Sequence, residues 1–120
     1  MPLWYASLFE LVAGGLILLF WVVAAGAGWL PTLLEGRTDG PAHVAAEFTT
    51  AGLLLAGGAA TIANHTSLTS ALLFGMGAGA LLYVLVEAPM HYRRRAPLVA
   101  LALVATWPVA LLAVVARFAT

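Results

Sequence analysis

Charged side chains are missing from three long stretches of this chain: none falls between Glu10 and Glu35, between Glu47 and Glu87, or between Arg95 and Arg117. A helix needs ~20 mostly apolar residues, at ~1.5 Å rise each, to cross the hydrocarbon of a bilayer. The first and third stretches therefore hold one span apiece, and the middle one holds parts of two. This predicts an all-α integral membrane four-helix bundle, up-down-up-down, with spans at about residues 4–30, 41–63, 67–88 and 97–118. Residues 1–120 read as a single transmembrane domain.

Composition agrees. Only 8% of the 120 residues are charged, 63% are hydrophobic and the mean hydropathy is +1.03. A soluble domain carries about 25% charged residues to keep its surface wet, so most of this surface is expected to face lipid. The formal net charge of zero argues against a nucleic-acid partner, and the absence of Cys removes disulfides and thiolate metal sites. No Ser-His-Asp arrangement or phosphate-binding Gly loop is present, which disfavours hydrolase and nucleotide chemistry and leaves an intramembrane lipid enzyme open.

The connections are read from their turn-forming residues. Pro31–Gly40 (PTLLEGRTDG) is a polar loop, Asn64–Ser67 is a tight turn whose Thr66 and Ser67 can cap the third helix, and Pro89–Pro97 (PMHYRRRAP) is the third connection. Pro89 disfavours helix at the residue before it, so the third helix is expected to stop near Ala88 and leave His91 in a loop. Pro108 is expected to kink the fourth helix. The leading segment MPLWYASLFE has no basic residue and precedes too long an apolar run for a cleaved signal peptide.

Arg37, Arg93, Arg94 and Arg95 lie in the first and third connections, against Arg117 alone on the side of the termini. The positive-inside rule then puts those loops in the cytoplasm and both termini outside. Trp4, Tyr5, Trp29 and Tyr92 fall where amphipathic rings favour the membrane interface. The arginine run serves as a topology anchor, with an anionic lipid headgroup as its other use. Small residues should bring helices together: Gly75 and Gly79 on the third, Ala56, Gly57 and Ala60 on the second, and Gly14, Ala24 and Gly28 on the first.

An acid or base inside a span is unfavourable by roughly 3 kcal/mol, so its presence asks for a reason. Five positions qualify: Glu10, His43, Glu47, Glu87 and His91. On the second helix His43, Glu47, Thr50, Gly57, Thr61 and Asn64 fall within roughly 100° of arc, a polar stripe that faces protein or water. Glu87 and His91 belong to the same half of the bilayer as His43 and Glu47, and Glu10 and His65 to the opposite half. If the second and third helices are neighbours, His43, Glu47, Glu87 and His91 could converge on a divalent metal such as Zn, Mn or nonhaem Fe, or on haem. The spacing differs from the Glu-x-x-His pairs of ferritin-like di-iron bundles. The ordinary alternative is a packing face in which Glu47 bonds to His43 one turn away. Glu10, Thr50 and Thr61 are candidates for a proton or substrate pathway, with a carboxylate snorkelling to the outer surface as the other reading of Glu10.

The run GRTDGPAHVAAEFTTAGLLLAGG resembles the corresponding part of small uncharacterised four-helix membrane proteins of bacteria and archaea. That resemblance covers about half the chain, takes in His43 and Glu47 but not Glu87 and His91, and implies no activity. The chain is also similar in outline to the small multidrug-resistance transporters, with a membrane Glu in its first helix (LFELVAGG), but it lacks their aromatic cage on the second helix. Three functions follow as expectations. One is a module holding a metal or haem at the His/Glu cluster. Another is a proton-coupled carrier or channel, working as a homo-oligomer because four short helices enclose little space. The last is an accessory subunit of a larger membrane complex. The partners expected are membrane lipids, other copies of the chain or such a complex.

Overall fold

The computed structural model describes residues 3–28, 40–94 and 96–119. Four helices run through them: α1, Leu3–Gly26; α2, Gly40–Asn64; α3, Leu68–Tyr92; and α4, Pro97–Phe118. Each is long and apolar enough to cross a membrane, and the molecule measures 45 × 22 × 21 Å. Large apolar side chains point outward, with Leu16 58% and Leu98 80% exposed. Such a surface is matched to hydrocarbon rather than to water.

Successive helices are antiparallel neighbours. Tyr5 near the start of α1 donates to the Val109 carbonyl in the second half of α4, and His43 near the start of α2 meets Glu87 near the end of α3. One end of the bundle carries both termini and the Asn64–Ser67 turn, and is here the terminal end. The other, the loop end, carries the last turns of α1 and α3 and the first turns of α2 and α4. Three apolar layers stack between them: Ala6, Phe74, Ala78 and Ala116 at the terminal end, Leu54, Leu81, Leu85 and Ala110 in the middle, and Val84, Ala88, Tyr92 and Ala100 at the loop end.

Glycine and alanine set the spacing, because apolar burial supplies little drive between helices in lipid and close contact must hold them. A β-carbon on Gly14 would lie 2.9 Å from the Ala51 carbonyl oxygen, and one on Gly58 3.0 Å from that of Ser7, so α1 and α2 meet backbone to backbone. On α3 the contact falls on Gly77, whose β-carbon would sit 3.1 Å from the Leu53 backbone. Gly75 and Gly79, the pair expected to pack, have nothing within 4 Å of a built β-carbon. They lie nearly opposite Gly77, about 160° round the helix from the face that meets α2. Ala56 is likewise exposed, while its neighbours Gly57 and Gly58 are buried.

Helix ends also depart from expectation. The first helix stops at Gly26 rather than near residue 30, because Gly28 takes a positive φ of 75° that breaks the helical ladder. Ser67 caps α3 as expected, accepting from the Ser70 amide at 3.1 Å. Thr66 instead bonds the Asn64 side chain, at 2.7 Å from its hydroxyl.

The largest difference is at Pro89. The helix does not stop at Ala88 but runs through the proline to Tyr92. Pro89 has no amide hydrogen for the Leu85 carbonyl four residues earlier. The Trp107 indole of α4 supplies that bond, donating to the Leu85 oxygen at 3.2 Å. A neighbouring helix thus satisfies the group that the proline orphans, as membrane helices allow. Trp107→Phe is expected to cost about 1–3 kcal/mol by leaving that carbonyl bare. In a Pro89→Ala background, where the amide returns, the cost should fall to the packing loss alone. Thermal unfolding in detergent across the double-mutant cycle measures the difference.

Candidate functional site

The buried face of α2 is the polar stripe that its sequence predicts. His43, Glu47, Thr50 and Thr61 are all buried, as is Gly57. Asn64, the last residue of α2, is exposed. Thr50 spends its hydroxyl on its own helix, donating to the Ala46 carbonyl at 2.8 Å. The chemistry collects instead at the two ends of the stripe.

At the loop end, α2 and α3 bring three predicted residues together. The His43 ring has a carboxylate on each nitrogen: Glu47 one turn on meets Nε2, and Glu87 of α3 lies 2.7 Å from Nδ1. Tyr92 closes the group. Its hydroxyl donates to Glu47 Oε2 at 3.1 Å and lies 3.4 Å from His43 Nε2. The Glu87 side chain is 30% exposed while those of His43 and Glu47 are nearly fully covered, so Glu87 is the member open to the outside. Edge-on aromatic rings wall the imidazole, with centroids at 6.4 Å for Trp21 and 6.0 Å for Tyr92.

The geometry fixes the proton count. Each nitrogen-to-carboxylate contact needs one proton between its atoms, from an imidazole N–H or a carboxyl O–H. One imidazolium and two carboxylates, or a neutral imidazole with one protonated carboxyl, both satisfy this, and both leave the three groups with net charge −1. Moving a proton along the chain therefore changes where the charge sits without changing its sum.

Of the metal set expected from sequence, the side chains of His43, Glu47 and Glu87 are described. Glu47 and Glu87 do converge, but on opposite edges of the ring rather than on a common point. Among the described residues no group of three His, Cys, Asp or Glu is arranged to hold a metal ion. His91 lies in the last turn of α3, not in a loop, because the helix continues past Pro89. Its side chain is outside the described residues.

At the terminal end the cluster is built on Arg117, which the sequence offered only as a topological charge. This guanidinium is buried. Its Nη2 donates to the His65 carbonyl at 2.8 Å and to the Ser70 hydroxyl at 3.2 Å, and its Nε donates to the Thr61 hydroxyl at 3.4 Å. The rings of Phe74 and Phe118 flank it, 5.7 and 5.2 Å from its central carbon. Glu10 is fully buried rather than snorkelling to the surface. Neither of its oxygens has a hydrogen-bond partner among the described residues, and Arg117 is close enough to act on it electrostatically. Gly57 makes the room, since a β-carbon there would run into Glu10 Oε1.

Tyr92 is the other residue that sequence reasoning missed. It reads as an interface anchor, but with α3 extended by one turn it is buried and bonded to Glu47. Its distance of five from Glu87 gave no signal, because the turn it sits on was expected to be loop.

A family described as a domain of unknown function (DUF8058) matches residues 3–119. The chain belongs to the DUF8058 family. Neither a curated protein nor a solved structure matches it. The DUF8058 match spans all four helices.

Proposed function

We propose that this chain is a proton-handling protein of a cell membrane, acting as a small proton-coupled carrier in which Glu87, His43, Glu47 and Tyr92 pass a proton between the loop-end surface and the bundle interior. One observation carries the reading: an imidazole buried in a membrane-length bundle has a carboxylate against each of its ring nitrogens. Such a ring takes a proton at one nitrogen and gives one up at the other, and neither carboxylate has to move. Glu87 is the entry because it is partly exposed, and Glu47 with Tyr92 is the inner station. Ionisable groups inside spans ordinarily mark such pathways. Glu10, near Arg117 in the other half of the bundle, is the second station; Thr50 lies on the α2 stripe between the two, and Thr61 lies beyond Glu10, against Arg117.

The divalent-metal or haem reading of His43, Glu47, Glu87 and His91 has less support, because carboxylates already engage both imidazole nitrogens. The arginine bias supports cytoplasmic loops, with the termini outside. The bundle's narrow cross-section, 22 × 21 Å, favours several copies acting together.

Purified protein in liposomes with an entrapped pH dye tests this. Under an imposed potential the wild type is expected to move protons well above empty liposomes. Glu47→Gln and Glu87→Gln should each slow the flux about tenfold or more, since an amide cannot take part in the transfer. Thr49→Val, on the exposed face of α2, should leave it unchanged. Flux equal to that of empty liposomes, or unaffected by either glutamine, contradicts the proposal.

A further inference from the structure

On the far side of the network from Glu87 lies a crevice of about 260 Å³ between α1 and α4. Ile17 and Phe20 of α1 form one wall and Val99 and Leu103 of α4 the other, with Glu47 and Tyr92 at its floor. Leu16, more than half exposed, stands at the rim, so the opening is sideways, onto the surface that faces lipid. A molecule reaching this crevice therefore arrives through the bilayer.

The floor defines what such a molecule must carry. Tyr92 directs its hydroxyl proton at Glu47 Oε2, and Thr106, which also lines the crevice, donates its hydroxyl proton to the Ala102 carbonyl, so what the crevice offers a ligand is chiefly an acceptor, the second oxygen of Glu47. A head group that only accepts hydrogen bonds finds no partner there, and a head group with several polar atoms leaves the rest unsatisfied against apolar walls.

We infer that the crevice between α1 and α4 binds a membrane-soluble amphiphile whose one polar head atom, a hydroxyl oxygen or an ammonium nitrogen, donates to Glu47 while its apolar body lies between Phe20 and Leu103. The inference deepens the proton-handling reading and rests on it for the use made of the ligand, which would be the lipid-side partner of the relay. Binding itself is measured separately, so a failure of flux and a failure of binding are told apart.

The test is calorimetry on the protein in lipid nanodiscs, with empty nanodiscs as the blank and three probes: 4-octylphenol, its methyl ether 4-octylanisole, and protonated octylamine. Saturable binding of the phenol or the amine, about tenfold or more tighter than that of the ether, is expected, because the ether has no proton to donate to Glu47 and leaves that acceptor unmet. Phenol alone marks the ligand as a neutral hydroxyl amphiphile, and amine alone marks it as cationic. Ala102 also lines the crevice and is exposed, so Ala102→Trp fills the space without disturbing the core and should abolish binding. Glu47→Gln keeps the shape, swaps one acceptor oxygen for a donor, and should weaken binding by about tenfold. Binding of the ether within about threefold of the phenol, or binding unchanged in Ala102→Trp, overturns the inference.

Discussion

Gly57→Ala is expected to cost about 3 kcal/mol or more, the upper range for forcing a methyl group into a filled interior. The added carbon would meet the Leu73 carbonyl oxygen and the Phe74 α-carbon at 2.9 Å, as well as the Glu10 carboxyl. Two of these are backbone atoms of α3, which cannot swing aside as a side-chain tip can. The substitution therefore either pries α2 from α3 or pushes Glu10 out of its site. Gly75→Ala and Gly79→Ala are the controls, because a methyl at either position meets nothing within 4 Å. Thermal unfolding in detergent should separate Gly57→Ala from both by a wide margin. Equal effects at the three glycines would contradict the packing described for α2 and α3.

Arg117→Met ranks next, at about 3 kcal/mol of lost stability. Methionine keeps much of the side chain's apolar length but removes every donor, taking from the Thr61 hydroxyl and the His65 carbonyl the bonds they accept and leaving the Ser70 hydroxyl only its own bond to the Ser67 carbonyl. Arg117→Lys should recover only part of the loss, since an ammonium lacks the planar fork that reaches several acceptors at once. Glu10→Gln, by contrast, should cost little, because no described hydrogen bond depends on either carboxylate oxygen. The same unfolding assay checks all three, and a tolerated Arg117→Met would remove the terminal-end cluster from the account.

How far these features were legible in the sequence depends on whether they are local. Four spans follow from gaps between charges, and the polar face of α2 follows from helical period alone, because His43, Glu47, Thr50 and Thr61 share one element. Periodicity also pairs His43 with Glu47. It does not say which neighbour covers that face, so the approach of Glu87 to the other ring nitrogen could only be stated as a condition. Pro89 failed as a stop signal for a similar reason: the bond that lets α3 continue comes from Trp107, eighteen residues further on and on another helix. Once the helix runs on, Tyr92 moves from the interface into the core. The glycines of α3 make the same point on a smaller scale, since period places Gly75 and Gly79 on one face and Gly77 on another, but only α2 decides which of them is buried. Arg117, near a chain end, looked like an interfacial charge because nothing nearby in sequence announces Thr61 or Ser70 as its partners.

If His43 shares protons with two carboxylates inside the bundle, nitrogen-15 NMR of the labelled imidazole will show it at both ring nitrogens. The three histidines are told apart by substituting His65 and His91 in turn. Both ring nitrogens of His43 are expected to report strong hydrogen bonds, with Glu47→Gln perturbing chiefly Nε2 and Glu87→Gln chiefly Nδ1. A ring whose nitrogens resemble those of free imidazole in water, and which responds to neither substitution, would contradict that sharing of protons.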